Sequence, residues 1–297
     1  MSTNTTSVWR KKLKELEIVV VIPTYNNGKT LAAVIEEVCR YADDIIVVND
    51  GSTDDTANIL EQYPAIRTIT HPVNKGKGTA LKHGLSQAKK EGFRYAITID
   101  SDGQHFASDI PCFIEAIEKE PDTLLVGARN LASDNMPGKN TFANKFSNFW
   151  FRLETGLKLE DTQSGYRLYP LRKMNVQSCW YTAKYEFELE AIVFAAWGDV
   201  AVKNIPHPRV LSPEAERVSH FRPFRDFTRI SVLNTVLVLI TCLWIVPRNL
   251  LRKLSWSNCK RFFTDHVLNT RESNLKIVLA IMLGIFMGIV PLWVIRC

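Results

Sequence analysis

The stretch IVVVIPTYNN, residues 18–27, is a β-branched run that ends in a proline and a polar turn. Similar apolar runs recur as far as residue 126, and helical patterns separate them. Strands that are apolar on both faces and alternate with helices are typical of a mostly parallel sheet covered on both sides. The sequence therefore predicts an α/β fold. The further runs are 45–48, 66–70, 95–99 and 124–126, and the helix candidates lie near 30–40, 54–62, 77–91 and 108–119.

Polar segments follow the predicted strands at the points where they end. In open parallel sheets, ligands bind beyond the carboxyl ends of the strands. One such segment alone indicates only a turn, but their concentration at one edge of a sheet indicates a binding site. The segments are PTYN at 23–26, NDGSTD at 49–54, NKGKG at 74–78, DSDGQH at 100–105 and GAR at 127–129.

Asp100 and Asp102 are two carboxylates one residue apart, directly after a strand that is predicted to be buried. Magnesium and manganese prefer oxygen ligands and are often held by one or two carboxylates plus substrate phosphates. Gln104 can add an amide oxygen on the same side. These residues predict an Mg²⁺ or Mn²⁺ site that neutralises a departing diphosphate. A solvated acidic turn is the alternative.

Asp50 and the loop 74–78 are candidates for binding a nucleotide. A carboxylate at the end of the second strand can accept hydrogen bonds from a base or a ribose, although an Asp-Gly turn before a capped helix gives the same pattern. The loop places two glycines and two lysines, one of them Lys77, before a helix whose amino end can attract phosphate. It lacks the Walker P-loop spacing, and a flexible surface loop is the alternative.

Arg129 and Arg167 are cations near predicted strand or loop ends. Arginine binds phosphate oxygens in a bidentate manner, so both residues are candidates for a phosphate contact. Solvation at the surface is the alternative for either residue.

PTYNN, NDGSTD, NKGKG, DSDGQH, VGAR at 126–129 and DTQSGYR at 161–167 occur in the order seen in family 2 glycosyltransferases. The chain most resembles the polyprenyl- or dolichyl-phosphate mannose synthase-like members of that family, over residues 18–230. The resemblance implies a GT-A fold, in which a Rossmann-like, mostly parallel sheet binds a nucleotide diphosphate sugar. It also implies metal-dependent sugar transfer.

The resemblance assigns roles to individual residues. Glu186 and Glu190 match a partly acidic helical element, and Asn27 stands where the family usually has glutamate. The other matches are Pro23, Tyr25 and Asp50 in the base pocket, Asp100 and Asp102 with nucleotide and metal, Gln104 with metal, Arg129 near the phosphates and acceptor, 164–167 in the loop that closes over the donor sugar, and Arg222 in the segment 219–222 at the diphosphate or the lipid phosphate.

The implied reaction inverts the anomeric carbon, because the acceptor attacks from the face opposite to the departing diphosphate. A lipid-phosphate acceptor is already anionic and needs no general base, whereas a hydroxyl acceptor needs a carboxylate to take its proton. Asp161 precedes the SGYR loop and is the candidate for that base. A helix-capping or turn role for Asp161 is equally open.

The C-terminal residues 218–297 carry eleven Lys and Arg against three acidic residues, a net charge of +8, while the rest of the chain carries −2. They also contain two apolar runs, 230–246 and 277–295, which are short for a bilayer core of ~30 Å. Basic residues flank the first run on both sides, which the positive-inside rule disfavours for a span. An in-plane or re-entrant helix at the cytoplasmic face of a membrane is therefore predicted. A full span by the first run is one alternative, and packing on the soluble domain or against another subunit is the other.

The predicted organisation has three parts. A polar N-terminal extension, 1–17, lacks the apolar stretch of a secretory signal. A catalytic domain follows at 18–217, and a membrane-associated helical region at 218–297 completes the chain.

The predicted function is sugar transfer from a GDP- or UDP-sugar to a polyprenyl phosphate or another membrane-embedded acceptor. A transferase that extends a polysaccharide or glycolipid hydroxyl is the second enzyme hypothesis. A catalytically silent scaffold that binds membranes or nucleotides is a hypothesis of another class. Nucleic acid is not predicted as a partner, because the basic tail lacks interleaved aromatics on a polar surface. A homo-oligomer remains open.

Overall fold

A single mixed sheet of seven strands forms the centre of the first of two compact units in the computed structural model. The described residues are 3–129, 138–174, 182–207 and 223–253. The units are Met1–Leu233 and Asn234–Cys297. The predicted limit at 217/218 lies outside the described residues and stays a prediction.

The sheet confirms the α/β prediction and has the strand order β3-β2-β1-β4-β6-β5-β7. All its neighbouring strands are parallel except β6, which runs antiparallel to both β4 and β5. The strands are β1 (Ile18–Thr24), β2 (Ile45–Asn49), β3 (Arg67–Thr70), β4 (Tyr95–Thr98), β5 (Leu124–Arg129), β6 (Arg167–Pro170) and β7 (Val202–His207).

Helices connect the strands, and α2 to α5 lie where the sequence predicts them, whereas α1 and α6 were not predicted. A short 3-10 turn, Ala107–Asp109, precedes the fifth helix. The helices are α1 (Thr3–Glu15), α2 (Gly28–Cys39), α3 (Thr56–Glu61), α4 (Lys77–Lys90), α5 (Ile110–Lys119), α6 (Gly138–Thr155), α7 (Glu186–Trp197), α8 (Pro223–Ile240) and α9 (Val246–Lys253).

Helices cover both faces of the central strands, which explains why β1, β2 and β4 are buried along their whole length. Ile18, Val20 and Ile22 face a core shared with α1, α2 and α5. On the other face, α4 approaches so closely that a Cβ on Gly84 would lie 2.5 Å from Cγ1 of Val21. The edge strand β3 differs from the prediction, because most of its side chains are exposed.

Two strands were not predicted from the sequence. β6 has only four residues and ends at Pro170, and β7 also contains a proline, so neither has the long apolar run of the central strands. β6 pairs with β4 through Thr98 and Arg167, among others. Because β6 is antiparallel, the loop that precedes it comes to the edge of the sheet where β1, β2 and β4 end.

The second unit continues α8 through a π-helical turn, Thr241–Ile245, into α9. The stretch Thr228–Leu250 has 23 residues and is long and apolar enough to cross a membrane. At 1.5 Å per residue it spans about 35 Å, against a bilayer core of ~30 Å. Length and composition thus fit membrane association of this helix. The second predicted run, 277–295, lies outside the described residues. The large exposed apolar side chains of the helix are Val232, Val236, Leu239, Leu243, Val246 and Leu250.

Glu154 on α6 gives the fold a pH dependence. The residue is 1% exposed, and burial raises the pKa of its carboxyl to about 8 from an ordinary value of 4.5. The carboxyl of Glu154 holds its proton more tightly in the folded state than in the unfolded state, because its folded-state pKa is the higher of the two. The stability that comes from this protonation is present at low pH and is lost as the pH rises through about 8. We expect the free energy of unfolding of the wild type to fall by several kcal/mol between about pH 5 and pH 9, and we expect this fall to be absent from Glu154→Gln.

Thermal unfolding of the full-length protein in detergent, at both pH values, checks this expectation. The wild type should lose more of its melting temperature on alkalinisation than the glutamine variant does. An equal loss in the two proteins would contradict it.

Candidate functional site

The loops after β1, β2 and β4 are joined by side-chain hydrogen bonds at the carboxyl edge of the sheet. Thr53 donates its backbone N–H to Oδ1 of Asn26 (2.8 Å), whose own N–H reaches Oγ of Ser52 (3.0 Å). Asn27 donates from Nδ2 to Oγ of Ser101 (2.7 Å). The amide at position 27, where the family resemblance leads one to expect glutamate, therefore ties the first loop to the Asp100–Asp102 loop.

Lys77, at the start of α4, is the central cation of the site. Its Nζ lies 2.8 Å from Oδ1 of Asp100 and 3.2 Å from Oε1 of Glu188 on α7. The ring of Tyr185 lies 5.9 Å from the same Nζ. The three charged side chains are at most about one-fifth exposed, so these ion pairs are poorly screened by solvent. We call Lys77, Asp100 and Glu188 the lysine cluster.

Lys77 and Asp100 keep their charges at neutral pH. Burial alone would raise the pKa of Asp100, but Lys77 and His105 outweigh it and hold the pKa below its ordinary value. Burial would likewise lower the pKa of Lys77, and the attraction of Asp100 and Glu188 holds it above its ordinary value. Asp100 is therefore a carboxylate paired with a lysine.

Replacing Lys77 with methionine should leave two largely buried carboxylates, those of Asp100 and Glu188, without their shared cation. We expect a loss of about 3 kcal/mol in the free energy of unfolding at pH 7, as when one partner of a buried pair is removed. The depressed pKa of Asp100 contributes stability that is fully present above its unfolded pKa of about 4, so the difference from the wild type should shrink as the pH falls below about 4.

Denaturant unfolding of both proteins from neutral to acidic pH measures this difference. Lys75→Met is the matched control, because Lys75 lies in the same loop with an exposed side chain. A gap between Lys77→Met and the wild type that stays constant with pH would rule out the ion pair as its cause.

Gly165, in the loop before β6, packs directly against the lysine cluster. A Cβ at this position would lie 2.8 Å from Oδ2 of Asp100, 2.8 Å from Oε1 of Glu188 and 3.0 Å from Nζ of Lys77. The two 2.8 Å distances are shorter than real Cβ contacts, so the cluster keeps its geometry only with glycine here. The structure thus brings the SGYR loop and the DSDGQH loop to one place.

Asp102 lies beside this cluster and has no lysine of its own among the described residues. Its Oδ1 accepts the backbone N–H of Gln104 (3.0 Å) and its Oδ2 accepts Nε2 of the same residue (2.9 Å). Burial and the neighbouring charge of Asp100 raise the pKa of Asp102 to about 6. This excess of negative charge is the kind that a bound cation relieves.

Asp102 and Gln104 fit a divalent cation only if a substrate supplies further ligands. Among the described residues, no three His, Cys, Asp or Glu side chains surround a common point. Mg²⁺ is commonly held by one or two carboxylates together with substrate phosphates, and Gln104 carries an amide oxygen within the same loop. Asp100 is held by Lys77, so of the three predicted ligands it has the least capacity to bind a metal.

Asp50, at the end of β2, is buried and holds the loop that carries Lys77. Its Oδ1 accepts the N–H of Lys75 (2.9 Å) and its Oδ2 accepts the N–H of Gly76 (2.7 Å). Nδ1 of His71 lies 2.6 Å from Oδ1 of Asp50, and Nε2 of His71 lies 2.7 Å from Nδ1 of His83. Both carboxylate oxygens are thus already engaged, and the contact of Asp50 with a base or ribose stays a prediction.

Arg167 and Asp161 are fully buried and organise the loop between α6 and β6. The guanidinium of Arg167 donates from Nε to the carbonyl of Ser164 (2.7 Å), from a second nitrogen to that of Thr162 (2.9 Å), and from the third to that of Glu188. Oδ1 of Asp161 accepts the N–H of Gln163 (2.9 Å). This geometry favours the turn role for Asp161 and gives Arg167 a positioning role; their catalytic roles stay predictions.

Of the remaining predicted residues, the structure describes two in full. Pro23 is buried near the end of β1, and Tyr25 follows that strand half-buried at the same edge. Arg129 ends β5, but its side chain and the whole of Arg222 lie outside the described residues. Roles of these four residues in nucleotide or phosphate binding stay predictions.

The acidic residue of α7 that reaches the site is not one of the two that were predicted. Glu190 accepts hydrogen bonds from N and Oγ1 of Thr182 (3.1 and 2.6 Å), and Glu186 lies 3.9 Å from Arg229. Glu188, which was not predicted, is the one that reaches Lys77. The only sequence signal for Glu188 was its position between Glu186 and Glu190, the two residues that the family resemblance singles out.

The family model described as "Glycosyl transferase family 2" matches residues 19–176, which is more than half of the chain. The chain belongs to glycosyl transferase family 2. This family 2 chain is 30% identical over 210 residues to the UDP-N-acetylglucosamine–dolichyl-phosphate N-acetylglucosaminyltransferase of Methanococcus voltae, covering 64% of this chain and 84% of that protein. It is 28% identical over 160 residues to the polyprenol monophosphomannose synthase of Mycolicibacterium smegmatis, covering 50% and 60%.

Among solved structures, the family 2 chain resembles glucosyl-3-phosphoglycerate synthase from Mycobacterium tuberculosis, solved with Mn²⁺, UDP-glucose and phosphoglyceric acid. The TM-score is 0.56 at 21% identity, covering 82% of this chain and 84% of that one. The likeness confirms the predicted GT-A type of fold.

Proposed function

We propose that this enzyme transfers a sugar from a UDP- or GDP-sugar to a polyprenyl phosphate, with a divalent cation and inversion at the anomeric carbon. The observation that carries the proposal is the placement of Asp102 beside the lysine cluster at the carboxyl edge of the sheet. The two relatives above support the acceptor class, since their names specify dolichyl phosphate and polyprenol.

The donor is proposed to lie across the ends of β1, β2 and β4. Asp100, fixed by Lys77, orients the nucleotide, and Gly165 leaves room for the lysine cluster under the donor sugar. Asp102 and Gln104 are proposed to hold Mg²⁺ or Mn²⁺, which when bound neutralises charge on the departing diphosphate. The same residues then set where the diphosphate leaves, and hence the face open to the acceptor.

The carboxylates around the site favour a phosphate over a hydroxyl acceptor. A hydroxyl needs a general base within hydrogen-bonding reach. Among the described residues, Asp100 and Glu188 are paired with Lys77, and Asp161 is fully buried in its turn. A lipid phosphate is already anionic and needs none of them.

The apolar helix and the basic C-terminal region support a location at the cytoplasmic face of a membrane. A polyprenyl phosphate keeps its chain in the bilayer, so the enzyme must work at the headgroup level. Thr228–Leu250 is apolar enough to hold it there. The cation-rich segment 218–297 would also attract anionic lipid.

The proposal is tested with the purified full-length protein, labelled UDP- and GDP-sugars, and Mn²⁺. Label should move into the organic phase with polyprenyl phosphate and stay in the aqueous phase with the matching polyprenol. Transfer to polyprenol alone would favour the hydroxyl-acceptor hypothesis. Absence of both transfer and nucleotide release with every donor would favour the scaffold.

A further inference from the structure

Helix α6 has two different faces, and one of them holds the active-site loop. Asn148 accepts the N–H of Thr162 (3.1 Å) and donates to the carbonyl of Glu160 (2.7 Å). Ser147 accepts the hydroxyl hydrogen of Thr162 (2.8 Å), and Asn144 also donates to the carbonyl of Glu160 (3.1 Å). The polar face of α6 thus supports the segment that leads directly into the SGYR loop.

The opposite face of α6 exposes large apolar side chains. Phe149 is 60% exposed and Leu153, one helical turn later, is 50% exposed. Leu157, in the turn after the helix, is 40% exposed. The ring of Phe149 also contacts that of Trp150 (5.6 Å between centroids), which adds a second aromatic ring beside it. Large apolar side chains that are exposed close together in this way commonly mark an interaction site.

Exposed cations accompany these apolar side chains along the chain, and the exposed acidic residue that follows them is Glu160. Lys145, Arg152 and Lys158 are exposed on the same stretch. The one acidic residue between 144 and 159 is Glu154, which is buried. Positions 145, 149, 152 and 153 share a helical face because they are spaced by three or four residues. An apolar strip flanked by Lys and Arg is complementary to an anionic lipid surface.

We propose that the exposed face of α6 and the turn after it, consisting of Lys145, Phe149, Arg152, Leu153 and Leu157, lies on an anionic bilayer as a membrane contact of the catalytic unit itself. This inference rests on the proposed function, in which the acceptor is a lipid phosphate. Phe149 and Leu153 enter the boundary between headgroups and acyl chains, while the cations meet lipid phosphates. The opposite face of α6 then holds the SGYR-side loop about one helix diameter, ~10 Å, from the headgroups. A lipid phosphate can thereby reach the site without leaving the bilayer.

The test places a coumarin amino acid at position 153 of the full-length protein, reconstituted in vesicles of phosphatidylcholine and phosphatidylglycerol in roughly a 3:1 ratio. The matched control carries the same fluorophore at Asn58, an exposed position on α3. Lipids with a doxyl quencher near the headgroup should remove most of the emission at 153 and little at 58. Aqueous iodide should do the reverse.

Three results would overturn the proposal. The first is equal iodide quenching at both positions with no doxyl quenching at 153. The second is protection of 153 from both quenchers together with 153-to-153 cross-links, which would make this face an interface between copies of the chain. The third concerns a protein with Lys145→Glu and Arg152→Glu in pure phosphatidylcholine. If doxyl quenching at 153 there equals the quenching seen without these changes in the mixed vesicles, charge has no role in the contact.

An activity measurement adds a readout that depends on lipid. The double variant Phe149→Ser and Leu153→Ser changes only exposed side chains, so it should fold. We expect its KM for polyprenyl phosphate in vesicles to rise several-fold, with nucleotide release by donor hydrolysis unchanged. An unchanged KM together with doxyl quenching like that of the wild type would overturn the proposal. Because the quenching needs no turnover, it distinguishes a wrong surface from a wrong reaction.

Discussion

Replacing Asp102 with asparagine is expected to lower sugar transfer by about 10³-fold at saturating Mn²⁺. Asparagine keeps an acceptor for the N–H of Gln104, so the loop should keep its shape. What disappears is the charge that the proposed cation needs, and a cation supplies several kcal/mol of charge stabilisation to a leaving diphosphate. Transfer from a labelled donor to polyprenyl phosphate, with and without Mn²⁺, measures the effect.

Asp199→Asn is the matched control for the Asp102 variant. Asp199 is exposed and precedes β7 at the opposite edge of the sheet, and its positive φ of 61° is one that asparagine tolerates. The Asp199→Asn variant should transfer sugar at the wild-type rate. Wild-type turnover in Asp102→Asn, with the usual dependence on Mn²⁺, would refute the assignment of Asp102.

Adding a single methyl group at Gly165 is expected to be the next most damaging change. The new Cβ of Gly165→Ala would meet Asp100, Glu188 and Lys77 at 3.0 Å or less, so the lysine cluster must move. A displacement of about 1 Å in a catalytic site can cost about 10²-fold in rate. We expect a loss of that size in transfer, measured with the same assay.

Gly92→Ala separates this steric effect from backbone strain. Gly92 has a φ of 91° with open space around it, so alanine there is strained by about 1–2 kcal/mol but touches nothing within 4 Å. It should be less stable than the wild type and retain its activity. If Gly165→Ala kept full activity, the close packing at residue 165 would have no functional importance.

The sheet could be predicted from the sequence where packing leaves a strong local pattern. β1, β2 and β4 are covered on both faces, so nearly every side chain in them is apolar, and an uninterrupted run results. β6 is held by its neighbours β4 and β5, and its four residues begin with a buried arginine. Such a strand is specified by tertiary contacts, which a single sequence does not display.

The candidate site was predictable to a similar extent. Asp100 and Asp102 follow directly from the end of a strand, since their spacing and position are local features. Glu188 lies far along the chain from Lys77, and its position is fixed by Arg167, which binds its backbone carbonyl. The same long-range folding buries Arg167, whose sequence position suggested a phosphate contact. Burial of a cation by backbone carbonyls leaves no local pattern.

The central claim is that Asp102 binds a divalent cation together with the diphosphate of a nucleotide. Electron paramagnetic resonance of Mn²⁺ with the full-length protein and UDP or GDP tests it most directly. We predict a bound Mn²⁺ signal with hyperfine coupling to phosphorus in the wild type, and loss of that bound signal in Asp102→Asn. The same phosphorus-coupled signal in the variant, or none in the wild type with either nucleotide, would contradict the claim.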